Sequence, residues 1–377
     1  MRPDRGHLKK AGNLRYGFDQ SDAEFSLILD ADFVPRPDCI VNLMPYMDDP
    51  KIAIVQSPQF FDTGKSMGWL QRCAGSTQEL FYRWIQPSRD HADAAICVGT
   101  CALYRRSALA KAGGFAEIDH SEDVYTGVNL MKAGYTSRYV PIIVSKGLCP
   151  DTARGFFNQQ YRWCAGSMEL LRDPEFRDSQ HITGWQHLCF WAGFLYYIST
   201  AVNAFVAPLS GLAMIWLLPE RVRPFNSVYL LGAGLLYFVV LPAVSRSRWR
   251  VEVLRIQLMY SFAHVLSIVH VLTGRTREWV ATGAANSKVT PLAVSISRIM
   301  KTWVLLTQVA IWAGLAIDIA NYGMGRFWAM LVLALIATYI ELPLLFVRFT
   351  TMTSADNSVL PPSTRDAEPL LAQQVAA

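Results

Sequence analysis

The sequence has few cysteines and none of the patterns in which cysteines usually act together. Its seven cysteines are an odd number, and no two of them form a C-x-x-C pair. This argues against a disulfide framework and against a zinc site. The first 18 residues also lack the apolar core of a signal peptide, so we expect residues 1–180 to be cytosolic.

Charged side chains are scarce, and they are missing from long stretches of the second half. Only 17 % of the residues are charged and 52 % are hydrophobic, which is too apolar for an ordinary soluble protein. A stretch of about 18 or more apolar residues is long enough to cross a bilayer. Uncharged stretches occupy 188–218, 224–245 and 302–317, and 327–347 carries only Glu341. We therefore predict an integral membrane protein with four spans.

The stretch 256–273 is also uncharged, but we predict that it lies along the membrane surface. It contains His264 and His270, and basic residues flank it on both sides. Lys and Arg accumulate on the cytoplasmic side, and a span here would split the basic cluster between the two sides. An interfacial helix and a following loop within 250–290 keep the cluster together beside anionic membrane lipid. Because lipid explains these residues and no nucleic-acid motif is present, we expect no nucleic-acid partner.

Residues 1–180 show the alternation of strands and helices that is typical of an α/β sheet. The β-rich runs "EFSLILDAD", "KIAIVQSPQFF" and "AICVGTCALY" are separated by helix-like or polar stretches such as 66–86 and 105–112. In such sheets, ligands bind at the carboxyl ends of the strands. The carboxyl-terminal segment 349–377, rich in Ser, Pro, Asp and Ala, is predicted to be disordered.

Two carboxylates, Asp30 and Asp32, directly follow the first of these strands. Side chains two residues apart share one face of an extended chain, so both can approach one hard divalent cation that bridges a diphosphate. The alternative is a turn at the end of the strand with two solvated aspartates. The pair by itself leaves both interpretations open.

The stretch "HSEDVY" also has two interpretations. Ser121 can cap a helix whose positive end favours the acids Glu122 and Asp123. Alternatively, Asp123 can act as the general base for an incoming hydroxyl. Upstream, the stretch 98–115, "VGTCALYRRSALAKAGGF", leads through Gly99 and Thr100 to a basic turn. It can line a pocket wall or form a plain junction between a strand and a helix.

In "NQQYRWCAG", residues Gln159, Arg162 and Trp163 fall at positions i, i+3 and i+4 and share one face of a helix. Arginine suits bidentate binding of phosphate oxygens, and a tryptophan ring can stack on a sugar. The alternative is an interfacial helix with its tryptophan in the core or at the lipid headgroups. This stretch alone does not decide between them.

The order of the motifs along the chain is more specific than any one of them. K-A-G-N, D-A-D, Q-S-P-Q-F-F, V-G-T, S-E-D and Q-Q-Y-R-W follow one another and lead directly into the apolar stretches. Over residues 8–350 the chain resembles the processive family 2 glycosyltransferases, and most of all the bacterial cellulose synthase catalytic subunits. The resemblance implies an α/β GT-A-like glycosyltransferase domain over 1–180, amino-terminally incomplete and lacking its first strands, followed by transmembrane helices over 181–348.

The resemblance implies a donor site for a nucleotide sugar, with UDP-glucose as the expected donor. Asp30 and Asp32 match the D-x-D pair that holds the nucleotide diphosphate through Mg²⁺ or Mn²⁺. Gln159 and Arg162 match the first two residues of the Q-x-x-R-W motif, which engage the same diphosphate.

On the acceptor side, the resemblance implies that Asp123 is the catalytic base of an inverting transfer and that Trp163 stacks under the acceptor sugar. The loop 274–288 resembles the family's gating loop, with Trp279 and Thr282 at its aromatic and threonine positions. Its lysine position is occupied by alanine.

The expected function is processive, metal-dependent transfer of a hexose to a growing β-glycan, which leaves through a channel between the membrane helices. The partners would be the polysaccharide acceptor, membrane lipid and accessory subunits. The expected location is the plasma (inner) membrane, with a cytosolic catalytic domain. Open alternatives are a synthase of another polymer such as chitin, hyaluronan or mannan, a lipid-linked sugar transferase, or an inactive truncated membrane subunit.

Overall fold

The computed structural model describes residues 9–347 and 349, apart from 62, 64–66, 119, 246–250 and 277–289. Its strands are β1 (Phe25–Ile28), β2 (Phe33–Pro35), β3 (Ile52–Gln56), β4 (Phe60–Phe61), β5 (Ala102–Arg105), β6 (Thr136–Tyr139) and β7 (Ser145–Gly147). A four-stranded sheet has the order β1-β5-β3-β6, and a small sheet has the order β2-β7-β4. Each predicted β-rich run therefore contains a strand.

The larger sheet brings three strand ends to one edge. All five residues of β3 are buried, as expected for an apolar strand that is covered on both faces. β5 runs antiparallel to β1 and β3, and Ala102 pairs with both Ile28 and Gln56. The amino end of β5 therefore lies beside the carboxyl ends of β1 and β3, at the edge where the sequence predicts a ligand site.

Among the described residues of the first half, eight α-helices accompany the two sheets. They are α1 (Lys9–Asp19), α2 (Cys39–Leu43), α3 (Trp69–Leu80), α4 (Gln86–Asp90), α5 (Arg106–Lys111), α6 (Glu122–Lys132), α7 (Ala153–Arg172) and α8 (Pro174–Arg177). A 3₁₀ turn over Met44–Asp48 extends α2, and a π turn over Phe81–Ile85 joins α3 to α4. The stretches 66–86 and 105–112, which were predicted to be helix-like or polar, thus contain helices in their described residues.

The described residues of the second half are mostly helical. Its helices are α9 (Gly184–Trp216), α10 (Val228–Leu235), α11 (Leu241–Ser245), α12 (Val253–Thr273), α13 (Pro291–Tyr322) and α14 (Met324–Leu345). Short 3₁₀ turns over Pro219–Arg221 and Pro224–Ser227 precede α10, and a π turn over Leu236–Val240 joins α10 to α11.

Within the described residues, five helical segments are long and apolar enough to cross a membrane. Four correspond to the predicted spans: Gly184–Trp216, Pro224–Val244, Pro291–Tyr322 and Met324–Leu345. The fifth is α12, and 50 % of its apolar window is buried inside the protein, whereas none of the window in Pro224–Val244 is. A position of α12 at the membrane surface stays a prediction, as does the number of spans.

Helix α12 packs along α7 and ties the first half of the chain to the membrane helices. The Tyr161 hydroxyl and His270 Nδ1 are 2.9 Å apart, and the Ser267 hydroxyl donates to the Tyr161 carbonyl at 3.1 Å. Phe156 and Phe157 of α7 are fully buried in the shared core, and burying such a side chain stabilises a protein by roughly 1.5–3 kcal/mol. The helix that carries the Q-x-x-R-W residues is therefore held from the membrane side.

Candidate active site

The D-x-D pair lies on a turn. After β1 ends at Ile28, the Phe33 amide donates to the Asp30 carbonyl at 3.0 Å and closes the turn that contains Asp32. The prediction that Asp30 and Asp32 lie on an extended chain is therefore wrong, because the chain bends between them. The two carboxylates nevertheless lie close together: partial removal from water, and then the charge of Asp30, raise the pKa of Asp32. The Asp32 side chain remains exposed, so a ligand can reach it.

Lys10 joins three segments of the site. Its Nζ lies 2.6 Å from Asp30 Oδ1 and 3.6 Å from Glu122 Oε1, and it donates to the Gly99 carbonyl at 3.0 Å. Burial alone would lower the pKa of Lys10, but the charges of Asp30, Glu122 and Asp123 outweigh this effect and raise it. The sequence showed Lys10 within K-A-G-N, yet no local pattern assigned it a partner.

The wall between these groups is formed by Gly99 and Thr100, at the amino end of β5. The Asp30 amide donates to the Thr100 hydroxyl at 2.8 Å. Gly99 has a φ of +72°, and a Cβ at this position would lie 2.8 Å from both the Cβ and the Oδ2 of Asp123. Glycine is required here by the left-handed backbone and by the close approach. Within the stretch 98–115, Gly99 and Thr100 therefore form a wall of the site, and the later part is a junction between β5 and α5.

Asp123 lies in the first turn of α6. Burial, and then the charge of Glu122, raise the pKa of Asp123 to about 7, while Lys10 opposes the shift. Its Oδ1 accepts from the amide of Val124 at 2.8 Å. The predicted cap is wrong: Ser121 occupies the N-cap position with a left-handed φ of 54°, and its side chain makes no capping hydrogen bond. Glu122 and Asp123 nevertheless lie in the first turn of α6, where the positive end of the helix favours acids, so this part of the prediction is confirmed.

Helix α7 supplies the cationic side of the site. Its amino end is capped by Thr152, whose hydroxyl accepts from the Gly155 amide at 3.2 Å. Gln159, Arg162 and Trp163 are half-buried on this helix, so the helical prediction for the motif is confirmed. The guanidinium of Arg162 is largely removed from water, and this burial lowers its pKa.

Four carboxylates act against that burial effect and favour the charged form of Arg162: Glu122, Asp123, Asp30 and Asp32. The structure thus gathers the predicted residues Asp30, Asp32, Asp123 and Arg162 around one point, and it adds Lys10 and Glu122.

The charges of this cluster fit a divalent cation. Four carboxylates and the two cations Lys10 and Arg162 leave an excess of two negative charges when all are ionised. Among the described residues, no group of three or more His, Cys, Asp or Glu side chains is arranged to hold a metal. Mg²⁺ is commonly held by one or two carboxylates together with substrate phosphates and water. Asp30 and Asp32 match that requirement.

The predicted gating residues Trp279 and Thr282 lie outside the described residues, so the structure does not test them. The chain on both sides of this loop contacts α7. Arg172 Nη1 donates to the Val271 carbonyl at 2.5 Å, shortly before the loop. Thr290, directly after it, donates to Asn158 Oδ1 at 3.2 Å.

About half of this chain matches the sequences of known proteins. Cellulose synthase 1 of Komagataeibacter xylinus is 32 % identical over 196 residues, which are 50 % of this chain and 12 % of that protein. The UDP-forming cellulose synthase catalytic subunit of Pseudomonas fluorescens (strain SBW25) is 30 % identical over 52 % of this chain and 27 % of that protein. The matched segment thus spans well under a third of either relative.

Among solved structures, the mannosyltransferase PcManGT from Pyrobaculum calidifontis, in complex with GDP-Man and Mn²⁺, is 16 % identical with a TM-score of 0.40, covering 69 % of this chain and 66 % of that one. A sequence model of the family described as "Glycosyl transferase family group 2" matches residues 27–346. The fold is accordingly a GT-A-like α/β domain followed by a helical membrane region. The chain belongs to glycosyl transferase family group 2.

Proposed function

We propose that this protein transfers a hexose, with inversion, from a nucleotide-sugar diphosphate to the end of a growing β-glycan. The observation that carries the proposal is the convergence of Asp30, Lys10, Asp123 and Arg162, which come from four separate parts of the chain, at one edge of the sheet. Such a cluster combines a candidate base with groups that bind diphosphate.

Asp123 is the proposed catalytic base. An acceptor hydroxyl is a weak nucleophile, so a carboxylate must accept its proton while the hydroxyl oxygen bonds to the anomeric carbon. The bond from that carbon to the diphosphate breaks on the opposite face, and an α-linked donor gives a β-linked product. A base works best with a pKa near the working pH, and the burial of Asp123 raises its pKa into that range.

The donor diphosphate is proposed to lie between the D-x-D turn and α7. Asp30 and Asp32 would hold Mg²⁺ or Mn²⁺, and Arg162 and Gln159 would contact phosphate oxygens from the other side. When bound, the cation would neutralise charge on the departing diphosphate. Arg162 supplies a fixed positive charge for the same oxygens.

UDP-glucose is the proposed donor, because a relative that is 30 % identical is a UDP-forming cellulose synthase catalytic subunit. Trp163, next to Arg162 on α7, is the proposed stacking platform for the acceptor sugar. The membrane helices would carry the polymer from a cytosolic active site across the plasma membrane, together with accessory subunits. The loop that contains Trp279 and Thr282 is proposed to cover the donor.

The test is turnover of the purified full chain in lipid nanodiscs. Release of UDP from UDP-glucose with Mg²⁺ or Mn²⁺, and digestion of the product by a β-glucan-specific hydrolase, are the readouts. Asp123→Asn should abolish turnover and retain donor binding, whereas the exposed Asp19→Asn should behave like the unaltered chain. Equal turnover in Asp123→Asn would remove this residue as the base.

Turnover of UDP-N-acetylglucosamine or GDP-mannose in place of UDP-glucose would assign a different polymer or acceptor. No turnover of any donor would overturn the proposed function.

A further inference from the structure

The segment 96–98 belongs to neither sheet, yet its backbone is hydrogen-bonded by glutamine side chains. Gln86 accepts from the Ile96 amide at 3.0 Å and donates to the Ile96 carbonyl at 2.7 Å. Gln56 donates to the same carbonyl and accepts from the Val98 amide at 3.0 Å. Gln59 donates to the Val98 carbonyl at 2.9 Å. Three side chains thus satisfy the polar groups that a neighbouring strand would otherwise satisfy.

Gln56 and Gln86 suit this role because a primary amide carries a donor and an acceptor on one rigid plane. Both side chains are fully buried, with 0 % of their surface exposed. A buried backbone group that loses its partner has no water to replace it. An apolar side chain of the same size would therefore leave backbone groups of Ile96 and Val98 without these hydrogen bonds, and the segment would no longer be held in place.

The segment leads directly into the wall of the active site. Gly99 follows Val98, and its close approach limits the space available to the Asp123 carboxylate. The Gly99 carbonyl accepts from Lys10, and the hydroxyl of the next residue accepts from the Asp30 amide. The position of 96–98 therefore determines where Asp123, Lys10 and Asp30 contact Gly99 and Thr100.

We propose that Gln56 and Gln86 are positioning residues for the transfer reaction: they hold 96–98 so that Gly99 fixes the Asp123 carboxylate relative to Lys10 and Asp30. The proposal rests on the proposed function for the role of Asp123 as the base. The hydrogen bonds that hold 96–98 do not depend on turnover, so their effect on the segment can be measured separately.

The substitutions are Gln56→Met and Gln86→Met, which keep side-chain size and remove the hydrogen bonds. The matched control is Gln20→Met at an exposed glutamine. If the buried variants fail to fold, Gln59→Met at the half-buried third glutamine tests the same segment with a smaller effect.

Two measurements are made on the full chain in nanodiscs. The first is amide hydrogen exchange of peptides that cover 94–101. The second is kcat per donor-binding site and donor KM as a function of pH, in the presence of UDP-glucose and Mg²⁺. If Gly99 loosens, water reaches Asp123 and the pKa of this carboxyl falls toward its ordinary range. The other groups whose charges act on Asp123 are unchanged in these variants: Glu122, Lys10, Asp30 and Arg162.

The expected result is faster exchange at 94–101 and a kcat per site that falls by roughly 10-fold to 100-fold, the range caused by a misplacement of about 1 Å. Donor KM should change by less than kcat, because only Asp30 among the proposed diphosphate-binding residues contacts the wall, whereas Gln159 and Arg162 lie on α7. The rising limb of the pH profile should move to lower pH, which a mere loss of folded protein cannot cause.

Exchange equal to that of Gln20→Met would overturn the proposal, as would faster exchange with an unchanged kcat and pH profile. If the unaltered chain turns over no donor, the proposed function fails. Faster exchange in the glutamine variants would then still support the holding of 96–98, and unchanged exchange would refute it.

Discussion

Substitution of Gly99 by alanine tests whether the wall of the site positions the proposed base. A Cβ at this position would lie 2.8 Å from both the Cβ and the Oδ2 of Asp123. Gly113 provides a matched control, because its φ of +89° is also left-handed but a Cβ there would meet nothing within 4 Å. Gly99→Ala and Gly113→Ala therefore share a backbone penalty and differ in the contact with Asp123.

The expected magnitudes follow from these geometries. A left-handed backbone costs a residue with a Cβ roughly 1–2 kcal/mol in both variants, and the overlap with Asp123 adds a further loss of stability in Gly99→Ala. Carbon atoms in contact prefer separations of about 3.5–4.0 Å, so Asp123 must move by about 0.7–1.2 Å in Gly99→Ala. A misplacement of about 1 Å can lower turnover by about 100-fold. Such a loss corresponds to about 2.7 kcal/mol of transition-state stabilisation.

The assay is kcat per donor-binding site, with the thermal midpoint measured on the same preparations. We expect a lower midpoint for Gly99→Ala than for Gly113→Ala, near-normal turnover per site for Gly113→Ala and a roughly 100-fold loss per site for Gly99→Ala. Equal turnover in the two variants would refute the reasoning, because the contact with Asp123 would then have no effect on the reaction.

Three further predictions concern the charges and packing of the site. Because the base must be ionised and burial raises the pKa of Asp123 to about 7, turnover should rise with pH through the neutral range and level off above it; a flat profile from pH 5 to 9 would contradict this. Lys10→Met removes a charge that lowers the pKa of Asp123, so the rising limb should move to higher pH, and a shift to lower pH would contradict the proposed pairing. A Cβ at Gly166 would overlap the Ser121 side chain, so Gly166→Ala should lower both the thermal midpoint and turnover, whereas Gly17→Ala, with nothing within 4 Å, should change neither appreciably.

Features that depend on neighbouring residues could be predicted from the sequence. The apolar run of β3 and the i, i+3, i+4 spacing in α7 are local, and both elements formed as expected. The turn after β1 was only one of two predicted alternatives, because the residue pattern does not show that a hydrogen bond from the Phe33 amide to the Asp30 carbonyl bends the chain there.

The contacts that assemble the site depend on the path of the whole chain. Lys10 meets Gly99 across 89 positions of sequence, and no periodicity links the two. The Ser121 side chain likewise meets a distant part of the chain, because α7 approaches it so closely that only glycine fits at 166. The order of the motifs indicated that these segments form one site. The individual contacts between their side chains became clear only from the fold.

The most direct test of the central claim is calorimetric titration of UDP into the purified full chain, with and without Mg²⁺. It requires no turnover. We expect UDP to bind with one site per chain in the presence of Mg²⁺, and to bind weakly without it. Replacement of both Asp30 and Asp32 by Asn should remove the effect of Mg²⁺. Equal affinity with and without Mg²⁺, or an unchanged Mg²⁺ effect in the double variant, would contradict a donor-diphosphate site at this edge of the sheet.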